Sequence, residues 1–138
     1  MDDEKRIYRV IDANLNRLRE GLRVCEEYFR FIKNEKEAPR RIKELRHKCR
    51  DLQDCFDEKI LFSARDSEND PFSSGFEAAE GSRKNIGGLF GANVKRCQEA
   101  ARVIEEFAKL FGNENASQLA KNIRFELYTF EKDIYCGR

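Results

Sequence analysis

One stretch of this sequence is written twice. Residues 12–31 read DANLNRLREGLRVCEEYFRF, and residues 91–110 read GANVKRCQEAARVIEEFAKL. In register, the copies agree at Ala13/Ala92, Asn14/Asn93, Arg17/Arg96, Glu20/Glu99, Arg23/Arg102, Val24/Val103, Glu26/Glu105 and Glu27/Glu106. Core packing accounts for a matched valine or alanine. It does not account for asparagine, arginine and glutamate recurring in register. A duplicated unit buries its apolar face against its own copy. Polar residues kept in both copies therefore point to a site that the copies share.

Apolar residues recur at steps of three and four, the helical period. The first helix is predicted over about Asp3–Ile32, with the stripe Ile7, Ile11, Leu15, Leu18, Leu22, Cys25, Phe29 and Ile32, and Asn34 as its stop. A second helix opens near Pro39, carries Ile42, Leu45, Cys49, Leu52 and Phe56, and ends around Phe62. The third begins near Asn85 and is capped by Gly112. The fourth starts after Asn115, with Gln118 completing a capping box, and carries Leu119, Ile123, Leu127, Phe130 and Ile134. Lys43, Leu45 and Arg46 overlay on Lys121, Ile123 and Arg124, so the repeat extends to the second helix of each unit. The expected fold is all-α: one domain over 1–138, a four-helix bundle of two helical hairpins, 3–62 and 85–135, with pseudo-two-fold symmetry. Residues 63–84 have turn composition and form the long crossover, a length that implies either function or disorder.

Basic and acidic residues nearly balance, 27 against 26, so overall charge points to neither nucleic acid nor a membrane surface as partner. The acidic start MDDEKR is not that of a signal peptide, and no run is long and apolar enough to span a bilayer. The five cysteines include no C-x-x-C pair. Cys25, Cys49 and Cys97 fall on apolar helix positions and read as buried thiols of a reducing, cytoplasmic compartment.

At ~100° per residue, Asn14 and Arg17 lie beside the apolar stripe of the first helix, with Glu20 further round. Arg23 lies nearly opposite the core. Asn14, Arg17 and their copies Asn93 and Arg96 are thus best placed for a cleft between helices, followed by Glu20 and Glu99. The competing explanation is a set of surface ion pairs at i,i+3 spacing, worth a few tenths of a kcal/mol. Arg46 and Arg124 either add cation to the same cleft or face solvent. His47 overlays on Phe125 and reads as packed or surface. Gly87, Gly88 and Gly91 suggest a phosphate-cradling loop before a helix, but they lack a phosphate-loop pattern and the overlay places them in the first turns of the third helix. In the crossover, Arg65 suits a phosphate and Asp66 suits Mg²⁺, although both also read as solvated loop charges.

The pattern at Asp12–Glu27, with L-R-H at 45–47, S-A-R-D-S at 63–67, A-N-V-K-R-x-Q-E-A-x-R-V-x-E-E at 92–106 and I-R-F-E-L-Y-T-F-E at 123–131, resembles a known family. It is the small all-helical hydroxymethylpyrimidine-phosphate kinase family of thiamin biosynthesis, whose domain occurs alone or fused ahead of thiamin-phosphate synthase. The resemblance implies phosphorylation of 4-amino-5-hydroxymethyl-2-methylpyrimidine phosphate to its diphosphate, with ATP and Mg²⁺. On that reading Arg17 and Arg96, aided by Arg65, Arg46 or Arg124, surround the phosphates. Glu20, Glu99 and Asp66 are the candidates to hold Mg²⁺, and Asn14 and Asn93 read the pyrimidine edge or orient the arginines. A second copy of the chain and thiamin-phosphate synthase stay open as partners. The alternative class is a non-catalytic helical module that binds a partner enzyme or a phosphorylated metabolite.

Overall fold

The computed structural model describes residues 2–73 and 81–137, and among these there is no strand. The helices are α1 (Asp3–Glu27), continued by a π-turn (Tyr28–Ile32), α2 (Glu37–Gln53), α3 (Glu58–Ala64), α4 (Ile86–Ala108), continued by a 3₁₀ turn (Lys109–Phe111), and α5 (Glu114–Tyr135). The architecture is the expected all-helical bundle. Part of the crossover, residues 74–80, lies outside the described residues.

Every α-helix start but that of α2 is fixed by a side chain that accepts an otherwise orphaned backbone N–H. Asp2 caps α1 through Lys5 N at 2.8 Å, Asp57 caps α3 through Ile60 N at 3.2 Å, and Asn85 caps α4 through Gly88 N at 2.7 Å. α5 begins earlier than the sequence suggested. Gly112 takes a left-handed φ of 65°, which turns the chain so that Asn113, not Asn115, caps Ala116 N at 3.0 Å. Asn115 reaches Cys55 instead.

Two further boundaries differ. The second helix does not run on to Phe62. After Gln53 the chain tightens into i→i+3 bonds (Cys55 N to Leu52 O, Phe56 N to Gln53 O), which lets Phe56 bury and α3 fold back onto α1. In α1 the π-turn shifts the helical phase, because an i→i+5 turn holds more residues than an α turn. Phe29 stays in the core, whereas Ile32, assigned to the apolar stripe, is 57% exposed. Asn34 does terminate this segment, with φ at +54°.

α1 and α4 form the central pair and run antiparallel. Phe90, in the first turns of α4, packs against Tyr28 and Phe29 at the end of α1. Cys97, midway along α4, meets Leu18 midway along α1. α2 packs on α1 and α5 on α4, and a contact between α2 and α5 closes the bundle. The core is built from Leu18, Leu22, Ile42, Leu52, Ile104, Ile123 and Leu127, with Phe29 and Phe130 edge-to-face. No described helix is long and apolar enough to cross a membrane.

Candidate active site

At Gly21 the α1–α4 seam carries no side chain. At Gly21 an added Cβ would lie 2.6 Å from Cys97 Sγ and 3.3 Å from the Asn93 carbonyl oxygen. Glycine is therefore required for the helices to approach this closely. Beside it opens a cleft of about 230 Å³ lined by Arg17, Glu20, Gly21, Val24, Asn93 and Arg96. Four of the residues singled out by the repeat thus come together on one surface.

The charges around this seam divide into two kinds. Arg23 bonds to Glu26 and Glu27, and its copy Arg102 to Glu105 and Glu106, at 3.3–3.8 Å. Arg46 pairs with Glu26 at 2.9 Å, and its copy Arg124 with Glu105 at 3.0 Å. Glu26 and Glu105 are buried carboxylates, which need a cation close by. Arg46 and Arg124 meet that need and do not line the cleft; Arg46 lines a groove with Leu15, Arg19, Cys49, Arg50 and Gln53. Arg17 and Arg96 are different. Both are exposed, and among the described residues neither has a carboxylate within ion-pair distance; the same freedom holds for Glu20 and Glu99.

Asn14 and Asn93 are buried, and each donates Nδ2 to a carbonyl one turn earlier, Val10 at 2.9 Å and Leu89 at 2.8 Å. Oδ1 of Asn14 accepts Arg17 Nη1 at 3.3 Å, which orients that guanidinium. Oδ1 of Asn93 has no partner among the described residues, and Asn93 lines the cleft. The copies thus differ in one respect. One amide holds an arginine, and the other leaves an acceptor for a ligand donor.

Arg65 and Asp66, which follow α3, lie against a different part of α1. A second cleft of about 240 Å³ is lined by Arg9, Asp12, Ala13, Asn16, Arg65, Asp66, Ser67 and Asp70. Asp12, 7% exposed, takes Arg65 in a bidentate pair, Nε at 2.8 Å and Nη2 at 2.7 Å. This hydrogen bonding raises the arginine pKa, and the field of Glu20 adds to it. The Asp66 carboxylate accepts from Asn69 Nδ2 at 2.9 and 3.0 Å, and its backbone oxygen from Arg9. Asp12, Asn16 and Glu20 are spaced four apart, so one face of α1 leads from this cleft towards the other. Asp12 was not singled out in the sequence because its copy is Gly91, and an overlay is blind to unduplicated residues.

Neither a nucleophile nor a histidine belongs to the seam cleft. Cys97 lies behind Gly21, where burial, with smaller contributions from Cys25 and Cys49, pushes its thiol far above the usual range. His47 is exposed and lines neither cleft. The Gly88 N–H is taken by Asn85. Among the described residues no three His, Cys, Asp or Glu side chains converge as a metal cage. Glu20 is the carboxylate that lines the cleft with the arginines, whereas Glu99, expected there with it, does not line it.

The ThiD2 family is matched over residues 9–133. The chain is similar to proteins named thiamine-phosphate synthase: 36% identical over 128 residues to that of Nostoc punctiforme, covering 93% of this chain and 35% of that protein. It is 38% identical over 135 residues to that of Gloeobacter violaceus, covering 98% and 38%, and 31% identical over 132 residues to that of Rhodopirellula baltica, covering 96% and 35%. The chain thus spans little more than a third of the length of these relatives. No solved structure matches it.

Proposed function

Because this chain belongs to the ThiD2 family, a helical domain also present in proteins named thiamine-phosphate synthase, we propose that it phosphorylates 4-amino-5-hydroxymethyl-2-methylpyrimidine phosphate to the diphosphate at the α1–α4 cleft, with ATP as donor. The observation that carries this reading is the pair Arg17 and Arg96, equivalent in the two repeats, facing one cleft with no carboxylate partner among the described residues. Two such cations suit a reaction that joins two anions. An acceptor phosphate oxygen attacks the γ-phosphorus of the nucleotide, the bond to the β-phosphate oxygen breaks, and ADP leaves. The acceptor oxygen is already anionic near neutral pH, so no general base is required. Positioning and neutralisation are the whole task of the protein.

In this reading Arg17 and Arg96 hold the reacting phosphates, and Asn14 keeps Arg17 in place. Asn93 Oδ1 accepts the ring amino group. Mg²⁺ suits such a site without a protein cage, since it keeps several waters and takes one or two carboxylates together with phosphate oxygens. Glu20 is the residue of this cleft that would hold it, with Glu99 as its counterpart in the other copy; the ion supplies further neutralisation of the phosphates. Sites for drug-sized ligands usually enclose about 300–1,000 Å³. A cleft of about 230 Å³ suits the compact pyrimidine but not a whole nucleotide as well. The rest of the nucleotide then lies along α1 towards Arg65 and Arg9.

The test is ADP release together with mass-spectrometric detection of the diphosphate. Purified protein is given ATP, Mg²⁺ and, in turn, the pyrimidine monophosphate, the free alcohol or no acceptor. Turnover is expected with the monophosphate alone. Binding of the monophosphate without turnover would instead establish the non-catalytic module, a reading favoured by the small size of the cleft.

A further inference from the structure

Arg46 and Arg124 are repeat counterparts and each holds a buried glutamate, but their surroundings differ. Between α1 and α2 a groove of about 250 Å³ is lined by Leu15, Arg19, Arg46, Cys49, Arg50 and Gln53. The overlay that pairs Arg46 with Arg124 also pairs Arg19 with Gln98, Arg50 with Tyr128 and Gln53 with Glu131. The structure keeps this correspondence. Arg19 Nη1 donates to Gln53 Oε1 at 3.2 Å, and Gln98 Nε2 donates to Glu131 Oε1 at 3.0 Å. In the second copy Tyr128 Oη accepts Arg124 Nη1 at 3.4 Å, and Glu131 pairs with Lys95 at 3.0 Å. In the first copy the same positions bring two further arginines and no carboxylate.

The scaffold does not need Arg19 or Arg50, because the second copy packs the same kind of helix pair without them. Glu26 answers Arg46, whereas the amides of Gln53 and Asn16 hold Arg19 without neutralising it. The Arg50 guanidinium has no hydrogen-bond or ion-pair partner among the described residues. Two positive charges thus stay uncompensated beside a third, over a floor of buried Leu15 and Cys49. Burial pushes the Cys49 thiol up to about 12, and the fields of Arg19 and Arg46 act against it, so both guanidinium groups are close to that floor.

We infer that the α1–α2 groove is an anion site separate from the seam cleft, and that it takes a phosphoryl dianion, carried by inorganic phosphate or by a small phosphomonoester. Two uncompensated cations match a dianion in charge, and the planar fork of arginine matches phosphate oxygens in geometry. At ~100° per residue, Leu15 and Arg19 lie on the opposite side of α1 from Arg17, Gly21 and Val24, so both sites can be filled at once. The inference does not depend on the function proposed for the seam cleft.

The experiment is calorimetric titration of the whole chain with inorganic phosphate at constant ionic strength. The double variant Arg17→Ala/Arg96→Ala silences the seam cleft, so the binding that remains reports the groove. In that background a single phosphate per chain is expected to bind. Arg19→Gln and Arg50→Tyr install the second copy's residues, and each is expected to weaken binding by roughly 10–100-fold, the equivalent of one charge-assisted bond. Gln53→Glu should weaken it as well, since the new carboxylate takes Arg19. Circular dichroism checks that each variant is folded. Phenyl phosphate, titrated in parallel, names the source of the phosphoryl group. Tighter binding than inorganic phosphate assigns the groove to a phosphomonoester whose apolar body covers Leu15 and Cys49; equal or weaker binding assigns it to free phosphate. No phosphate binding in the Arg17→Ala/Arg96→Ala chain, or an affinity there that survives both Arg19→Gln and Arg50→Tyr, would overturn the proposal.

Discussion

At the scale of residues, pairing separates structural charges from available ones. Arg23, Arg46, Arg102 and Arg124 each answer a glutamate, while Arg17 and Arg96 answer none among the described residues. If the free pair holds phosphate, Arg17→Ala and Arg96→Ala should each lower kcat/KM for the monophosphate by roughly 10–100-fold, at one charge-assisted bond of ~1.5–3 kcal/mol apiece. Helical content should be unchanged; full activity in both variants would make them ordinary surface charges. Gly21 can be tested through stability. The Cβ of Gly21→Ala has to displace Cys97 Sγ, and overpacking of this kind costs about 1–3 kcal/mol. Adding Cys97→Ala removes the clash, so the double variant should recover part of the lost thermal stability. A single variant as stable as the parent would mean that the seam yields easily.

At the scale of elements, the two hairpins reuse one ion pair at different depths. Arg124 is 10% exposed and Glu105 7%, whereas Arg46 is 26% exposed. Removing one partner of a buried pair costs ~3–5 kcal/mol because the other charge is stranded. Glu105→Ala should therefore lower the urea midpoint more than Glu26→Ala, since Arg46 can turn to water; the reverse order would contradict this burial difference. Helix capping gives a sharper contrast. Asn113→Ala removes the acceptor for Ala116 N and should cost ~1 kcal/mol, whereas Asn115→Ala should be close to neutral by the same thermal melt.

At the scale of the whole molecule, the buried thiols set an alkaline limit. Burial pushes Cys25 and Cys49 up from the usual value of 9.0 to about 12. Below pH 9 both thiols are protonated in the folded and the unfolded chain, and their contribution is fully present. Above pH 9 the unfolded chain ionises first, so stability falls until the folded value near 12 is reached. The slope is at most ~1.4 kcal/mol per pH unit for each thiol. Denaturation midpoints measured from pH 8 to 11 should decline accordingly, and Cys25→Ala should shallow the decline although it costs packing. A flat profile in the parent would show that these thiols are not protected.

The sequence by itself determined the helical class and the pairing of hairpins, and it brought forward Arg17, Glu20, Asn93 and Arg96 of the seam cleft but also Asn14 and Glu99, which do not line it, because helical periodicity and an in-register repeat are local facts. Asn14, Arg17, Glu20, Asn93 and Arg96 were legible for the same reason. What it left open depended on contacts between distant segments. Whether Arg46 and Arg124 faced the cleft was decided by where Glu26 and Glu105 are buried. The role of Asp12 appeared only when the chain after α3 returned Arg65 to α1. The exposure of Ile32 came from a π-turn that shifts helical phase, which a count of threes and fours does not register. Cleft depth, too, was a tertiary result. It depends on how closely two antiparallel helices approach at Gly21, a distance set by the sulfur of Cys97 on the opposite helix.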